Sequence, residues 1–196
     1  DADSVNARDV ALYAQDAGIS CLFIHGRTKA QGYSGMVDYA VIRDVKEALS
    51  IPVIASGDSL SREKVVRMFS ETGCDGVAIA RGALGNPWIF AETVRYMTDG
   101  AILPKPDVPE RIAVMKRHLE MAVEHWGEKR GVGLFHKFFI WYTRGLGGLR
   151  PLRNRAFRTG TMQGLIEVID ELSLVYPRYR KRTPPGGPEV QDITAP

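Results

Sequence analysis

Three short segments of this chain share one pattern: Cys21-Leu-Phe-Ile-His-Gly-Arg-Thr28, Ile51-Pro-Val-Ile-Ala-Ser-Gly-Asp58 and Gly76-Val-Ala-Ile-Ala-Arg-Gly-Ala83. Each is an apolar run that stops at a glycine flanked by a charged side chain. An unbroken apolar run marks a parallel strand buried on both faces, and a glycine at its carboxyl end lets the backbone approach a ligand closely. Ligands of α/β sheets and barrels collect at that end. The spacing therefore predicts that His25, Arg27, Asp58 and Arg81 gather on one side of a site for a phosphate-bearing ligand.

Helical patterns fill the gaps between these strands. Asn6–Asp16 carries Val10, Tyr13, Ala14 and Ala17 and is closed by Gly18. Tyr39–Leu49 repeats Ile42, Val45 and Leu49 at a period near 3.6. Ser61 is a natural N-cap for Arg62–Glu71, whose Val65, Val66 and Phe69 are expected to face the sheet, and Gly73 ends that helix before a strand at Gly76–Ala80. Such alternation predicts a parallel sheet. A closed (β/α)8 barrel takes about 250 residues, more than the 196 present. The expected fold is α/β: part of a (β/α)8 TIM barrel, its last three strands and their helices, with the strand that should precede the Asn6 helix missing.

The alternation stops at a linker marked by Pro104, Pro106 and Pro109. Asp107 followed by Glu110 forms a capping-box-like start, and Ile112, Met115, Leu119, Val123 and Trp126 make an apolar stripe. Further helices are expected over Val132–Tyr142, Leu152–Phe157 and Met162–Leu172, giving a small all-α domain. The expected boundaries are 1–100 for the barrel part, 101–182 for the helical domain, and 183–196 for a disordered, proline- and glycine-rich tail.

Charge separates the two parts. Residues 1–110 carry 11 Lys and Arg against 15 Asp and Glu, a net −4; residues 111–182 carry 15 against 6, a net +9. A strongly basic half points to an acidic partner, nucleic acid among them. No apolar run reaches the ~20 residues of a membrane span, and no signal-peptide pattern is present, so neither a membrane partner nor export is expected. Cys21 and Cys74 lack metal-ligand spacing and read as reduced core residues of a cytoplasmic protein, with no metal site.

The runs His25-Gly-Arg-Thr-Lys-Ala-Gln-Gly-Tyr-Ser-Gly35, Ile51–Asp58 and Thr72-Gly-Cys-Asp-Gly-Val-Ala-Ile-Ala-Arg-Gly-Ala-Leu-Gly-Asn-Pro-Trp88 together resemble the flavin-dependent tRNA-dihydrouridine synthases. The resemblance continues more loosely through His136, Trp141-Tyr142, Arg144-Gly145 and Leu149-Arg150. It implies a TIM barrel holding FMN at its carboxyl-end mouth. NADPH is then the reductant, tRNA the partner, and reduction of a uridine C5–C6 bond the reaction. It also implies that C5 is protonated by a cysteine in an Asn-x-Gly-Cys-Pro-type loop of the amino-terminal half of the barrel. This segment contains no such loop, so no catalytic residue is assigned to it, and it is expected to need an amino-terminal half-barrel or a swapped copy.

The resemblance assigns His25, Ser56, Gly57, Asp58, Ala80, Arg81 and Gly82 to the cofactor. Amides at the glycine turns, with an added helix N-terminus and the Arg81 guanidinium, would grip the phosphate. The family usually has Asn at Ser56 and commonly Gly at Ala80. Arg27 is assigned with Lys137, Arg144, Arg150, Arg153 and Arg155 to RNA, although an ion pair within the loop is an equal reading for it. Lys129, Arg130 and Arg158, with Trp141 and Tyr142, extend the same basic surface. His136 reads equally as a hydrogen-bonded core histidine or a phosphate contact. Trp88, after Asn86-Pro87, reads as structural. Two alternatives stay open: a non-catalytic RNA-binding truncation, and half of a phosphate-binding metabolic barrel.

Overall fold

The computed structural model describes residues 1–175; the tail expectation and the last residues of the expected helical domain lie outside that range. The described chain forms two compact units. One comprises residues 1–83 and 87–103, the other residues 84–86 and those from 104 onward.

In the first unit the order is α1 (Ala7–Asp16), β1 (Leu22–His25), α2 (Tyr39–Ala48), β2 (Val53–Ser56), α3 (Arg62–Thr72), β3 (Gly76–Ala78) and α4 (Ile89–Asp99). The strands form a parallel sheet in the order β1-β2-β3. Its register sets His25 beside Ser56 and Ser56 beside Ala78, so the carboxyl ends of all three strands share one edge. Local chemistry fixes the helix ends. The Ser61 hydroxyl accepts from the Lys64 amide to start α3, the Asp38 carboxylate accepts from the Ala40 and Val41 amides to start α2, and Gly73 closes α3 at φ 66°.

Ile24, Val53 and Ala55 lie on one face of the sheet and are buried with Ile42, Val45 and Met68 from α2 and α3. The opposite face carries Phe23, Ile54 and Gly76, then His25, Ser56 and Ala78. Phe23 there is 69% exposed. The run 21–24 reads as a strand covered on both sides, yet only one side is covered among the described residues. The α1 stripe differs for a related reason. Its buried residue is Ala11, with Ala7 and Leu12 packed on the core, whereas Val10 and Tyr13 are exposed. Cys74 is buried as expected, but Cys21 is exposed because it lies just outside β1 at the edge of the sheet.

The second unit packs α5 (Val108–Trp126), α6 (Glu128–Tyr142), α7 (Arg150–Arg158) and α8 (Met162–Asp170). Its core holds Met115, Leu119, Phe135, Phe139, Leu149, Leu165 and Ile169. Asp107 caps α5 by accepting from the Glu110 amide, as its spacing predicts. Trp126, at the end of the expected stripe, is half-exposed instead of buried. Helix α6 starts at Glu128, four residues before the expected Val132, and continues through Gly131. A Cβ at Gly131 would sit 2.7 Å from the Ala122 carbonyl oxygen, so this glycine marks the close approach of α6 to α5. Likewise Gly85 leaves no room for a Cβ, 2.4 Å from the Trp141 carbonyl carbon.

Candidate functional site

Every expected ligand residue of the first unit lies at, or just beyond, the carboxyl end of a strand. His25 closes β1 and is exposed; Ser56 closes β2, and its hydroxyl donates to the Ile24 carbonyl at 3.1 Å. The chain then turns through Gly57 at φ 128° and Asp58 at φ 46°, left-handed conformations open to glycine and tolerated by aspartate. Neither the Gly57 nor the Asp58 amide donates to a carbonyl among the described residues. After β3, Arg81–Ala83 forms a single 3-10 turn in place of the helix N-terminus that the sequence suggests. Gly82 in that turn presses on its neighbour: an added Cβ would lie 2.1 Å from the Ser59 carbonyl oxygen. The turns after β2 and β3 are thus in backbone contact.

One carboxylate ties the three strand ends together. Asp58 accepts two hydrogen bonds from Arg27, at 3.1 and 2.6 Å, and one from Arg81 at 2.9 Å. The Arg27 side chain is only 3% exposed. Two further donors, on Nε and Nη2, go to the carbonyls of Ser34 and Gly35 at 3.1 and 2.7 Å, which fastens the loop after β1. Arg81 is more open, at 45% side-chain exposure, and its guanidinium stacks 4.6 Å from the Tyr33 ring centroid. The Arg27 hydrogen bonds above all, aided by the charges of Arg27, Arg81 and Lys64, outweigh burial and hold the Asp58 carboxyl below its ordinary range. Asp58 in turn raises the Arg27 guanidinium above its own. Two guanidinium groups against one carboxylate leave one positive charge in excess at this edge.

This donor set suits an anion: two uncommitted amides, a half-exposed arginine and a histidine at the same edge. Among the described residues no group of His, Cys, Asp and Glu can hold a metal ion. Arg27 has another occupation than the RNA contact assigned to it; all its bonds turn inward, to Asp58 and the loop. Asp58 contributes its carboxylate to the pairings as well as its backbone. Tyr33 went unassigned in the sequence because nothing in a Gln-Gly-Tyr-Ser-Gly loop marks an aromatic that will lie against an arginine some fifty positions later.

The second unit holds the expected RNA residues. Lys137, Arg144 and Arg150 are exposed, and no ion pair among the described residues takes them. Arg155 pairs with Glu171 through two hydrogen bonds. Arg153 is half-buried and donates to the hydroxyl and carbonyl of Thr143, so it braces the end of α6. His136 lies 3.0 Å from the Thr159 carbonyl oxygen through Nε2, the hydrogen-bonded reading of that residue. Arg130 stacks on the half-exposed Trp126 at 4.1 Å. No helix of the described residues is long and apolar enough to cross a membrane.

A parallel sheet whose strand ends share one anion-suited edge, followed in the chain by basic helices, defines part of a (β/α)8 barrel with an all-α appendage. Comparison with known proteins is specific about which. The family model described as Dihydrouridine synthase (Dus) matches residues 1–174, and the chain belongs to that family. It is 42% identical over 144 residues to tRNA-dihydrouridine synthase B of Xanthomonas campestris pv. campestris, covering 74% of this chain and 43% of the relative. It is 40% identical over 153 residues to tRNA-dihydrouridine synthase B of Pseudomonas aeruginosa, covering 78% and 46%. To the probable tRNA-dihydrouridine synthase 1 of Synechocystis sp. it is 37% identical over 171 residues, covering 87% and 48%. The chain spans about half the length of the curated relatives it matches.

Proposed function

We propose that this chain supplies the carboxyl-terminal part of an FMN- and NADPH-dependent tRNA-dihydrouridine synthase, which reduces the uridine C5–C6 bond in tRNA. The observation that carries the reading is the shared edge of the three strands, where uncommitted amides and Arg81 meet in a chain that goes on into basic helices. The Gly57 and Asp58 amides, with Arg81 and the Gly82 turn, would hold the FMN phosphate. Ser56, whose hydroxyl proton goes to the Ile24 carbonyl, would be left to accept from a donor group of the flavin and not to hold its phosphate, and Ala80 would take part through its backbone. His25 would donate a hydrogen bond to a ring heteroatom and tune the flavin's electronics. Bound FMN supplies hydride transfer from NADPH to C6. Lys137, Arg144 and Arg150 would neutralise phosphates and so position the tRNA, with sequence read elsewhere.

The proton for C5 comes from outside this segment. Cys21 and Cys74 precede β1 and β3, which puts both at the amino-terminal edge of the sheet, away from His25 and Arg81. The exposed Phe23, on a face that no helix covers among the described residues, is the surface that an amino-terminal half-barrel, or a swapped copy, would cover. The test is reconstitution with the amino-terminal portion of the Pseudomonas aeruginosa relative. Dihydrouridine formation from unmodified tRNA with FMN and NADPH is the expected result. A complex that forms but leaves uridine unchanged rejects the reading.

A second reading, RNA binding without catalysis, draws on the exposed Lys137, Arg144 and Arg150, which no ion pair takes among the described residues. It is favoured if the reconstituted complex binds tRNA with a steep salt dependence but takes up no flavin.

A further inference from the structure

Arg27 is hard to account for as a surface group. Its guanidinium is nearly sealed from solvent, and it spends its donors on four acceptors in two segments: Ser34, Gly35 and both oxygens of Asp58. Among the described residues none of its hydrogen bonds goes to the turn after β3. Asp58, which it grips through both oxygens, uses the same Oδ1 to accept from Arg81. Among the described residues the Asp58 carboxylate, at a left-handed backbone position, takes its hydrogen bonds from Arg27 and Arg81 alone. Tyr33 adds the return link, because the loop that Arg27 fastens presents this ring to the Arg81 guanidinium. The three strand ends are therefore joined in a closed circuit: Arg27 to Asp58, Asp58 to Arg81, Arg81 to Tyr33, and the Tyr33 loop back to Arg27.

We propose that Arg27 is a positioning residue that acts through Asp58 to fix Arg81, and with it the turn after β3, at the strand-end edge. The proposal rests on the FMN reading above for its purpose, since Arg81 is the open cation of that edge. Its physical content is independent of any ligand. Asp58 holds Arg81 only as well as Arg27 holds Asp58. Lysine at position 27 would keep the charge but lose the planar fork that serves two carboxylate oxygens and two carbonyls at once. Partial function is expected of it.

Three amides report on the three turns. Ser34 donates to Gln31 at 2.9 Å, Leu60 to Asp58 at 2.7 Å and Ala83 to Ala80 at 3.1 Å. Hydrogen exchange at these amides, followed by NMR on the ligand-free 196-residue chain, is the experiment. Arg27→Met is expected to speed exchange at Ser34, Leu60 and Ala83 by about tenfold or more, the scale of a charge-assisted hydrogen bond. Arg27→Lys should fall between wild type and Arg27→Met. In an Asp58→Asn background, Arg27→Met should leave Ala83 where Asp58→Asn alone puts it.

Acceleration at Ser34 with Ala83 unchanged would make Arg27 a loop anchor only and overturn the proposal. So would an effect on Ala83 that persists undiminished in the Asp58→Asn background. If Arg27→Met unfolds the chain throughout, Arg27→Lys decides by the same two criteria. The FMN reading is judged separately, by titrating FMN and riboflavin into the reconstituted complex. If neither binds, that reading falls while the exchange result stands. If FMN binds, Arg27→Lys should narrow its advantage over riboflavin, which lacks the phosphate.

Discussion

Asp58 converts a turn into a joint, and its protonation shows how much the joint contributes. Its folded pKa is depressed, so the stability it provides is present above the ordinary carboxylate range, about pH 4, and is lost as pH falls through the lower folded value. Urea unfolding from pH 7 down to about pH 2 should show a steeper acid loss for wild type than for Asp58→Asn; parallel curves would mean that the pair contributes nothing. Removing Arg27 leaves a partly buried carboxylate short of two donors, so Arg27→Met should cost about 1–3 kcal/mol by urea midpoint. Gly82 makes a steric demand in the same place. A Cβ there would meet the Ser59 carbonyl, which is backbone and cannot swing aside. Gly82→Ala should therefore destabilise by about 1–3 kcal/mol and disturb both turns.

Among the elements, α6 offers a paired test inside one helix. Gly131 and Gly133 are two residues apart, and nothing in the sequence separates them. A Cβ at Gly131 runs into the backbone of α5, whereas one at Gly133 meets nothing within 4 Å. Gly133→Ala should stabilise the chain by about 0.5–1 kcal/mol through helix propensity, and Gly131→Ala should destabilise it, both read by thermal melting. The same contrast explains what the sequence could convey. Caps at Ser61, Asp107 and Gly73 were legible because their chemistry is local, within three residues of the helix end. Strand ends were legible because glycine and charge interrupt an apolar run. The start of α6 was not, because a glycine that allows two helices to touch looks like a glycine that breaks one. Nor was the buried face of α1, because burial of Val10 and Tyr13 depends on what lies beside them, which periodicity does not record. The Arg27–Asp58–Arg81 circuit joins residues up to 54 positions apart; the sequence brought them to one edge without saying which would pair with which.

For the molecule as a whole, charge and topology are divided between the two units. The first gathers an anion-suited edge; the second carries the excess of basic residues. If Lys137, Arg144 and Arg150 neutralise tRNA phosphates, Ala at each should weaken binding across all tRNAs. The slope of log affinity against log salt should also fall by roughly 0.7–0.9 for each phosphate left unneutralised. Arg155→Ala should do less, because its guanidinium is already engaged by Glu171. Arg153→Ala should lower stability before it alters the slope, since it braces Thr143. The most direct test of the central claim is an FMN fluorescence titration of the chain reconstituted with its relative's amino-terminal portion, alongside Arg81→Met. Saturable quenching that favours FMN over riboflavin, and weakens about tenfold in Arg81→Met, is the predicted result. Equal affinity for the two flavins, or binding indifferent to Arg81→Met, would contradict it.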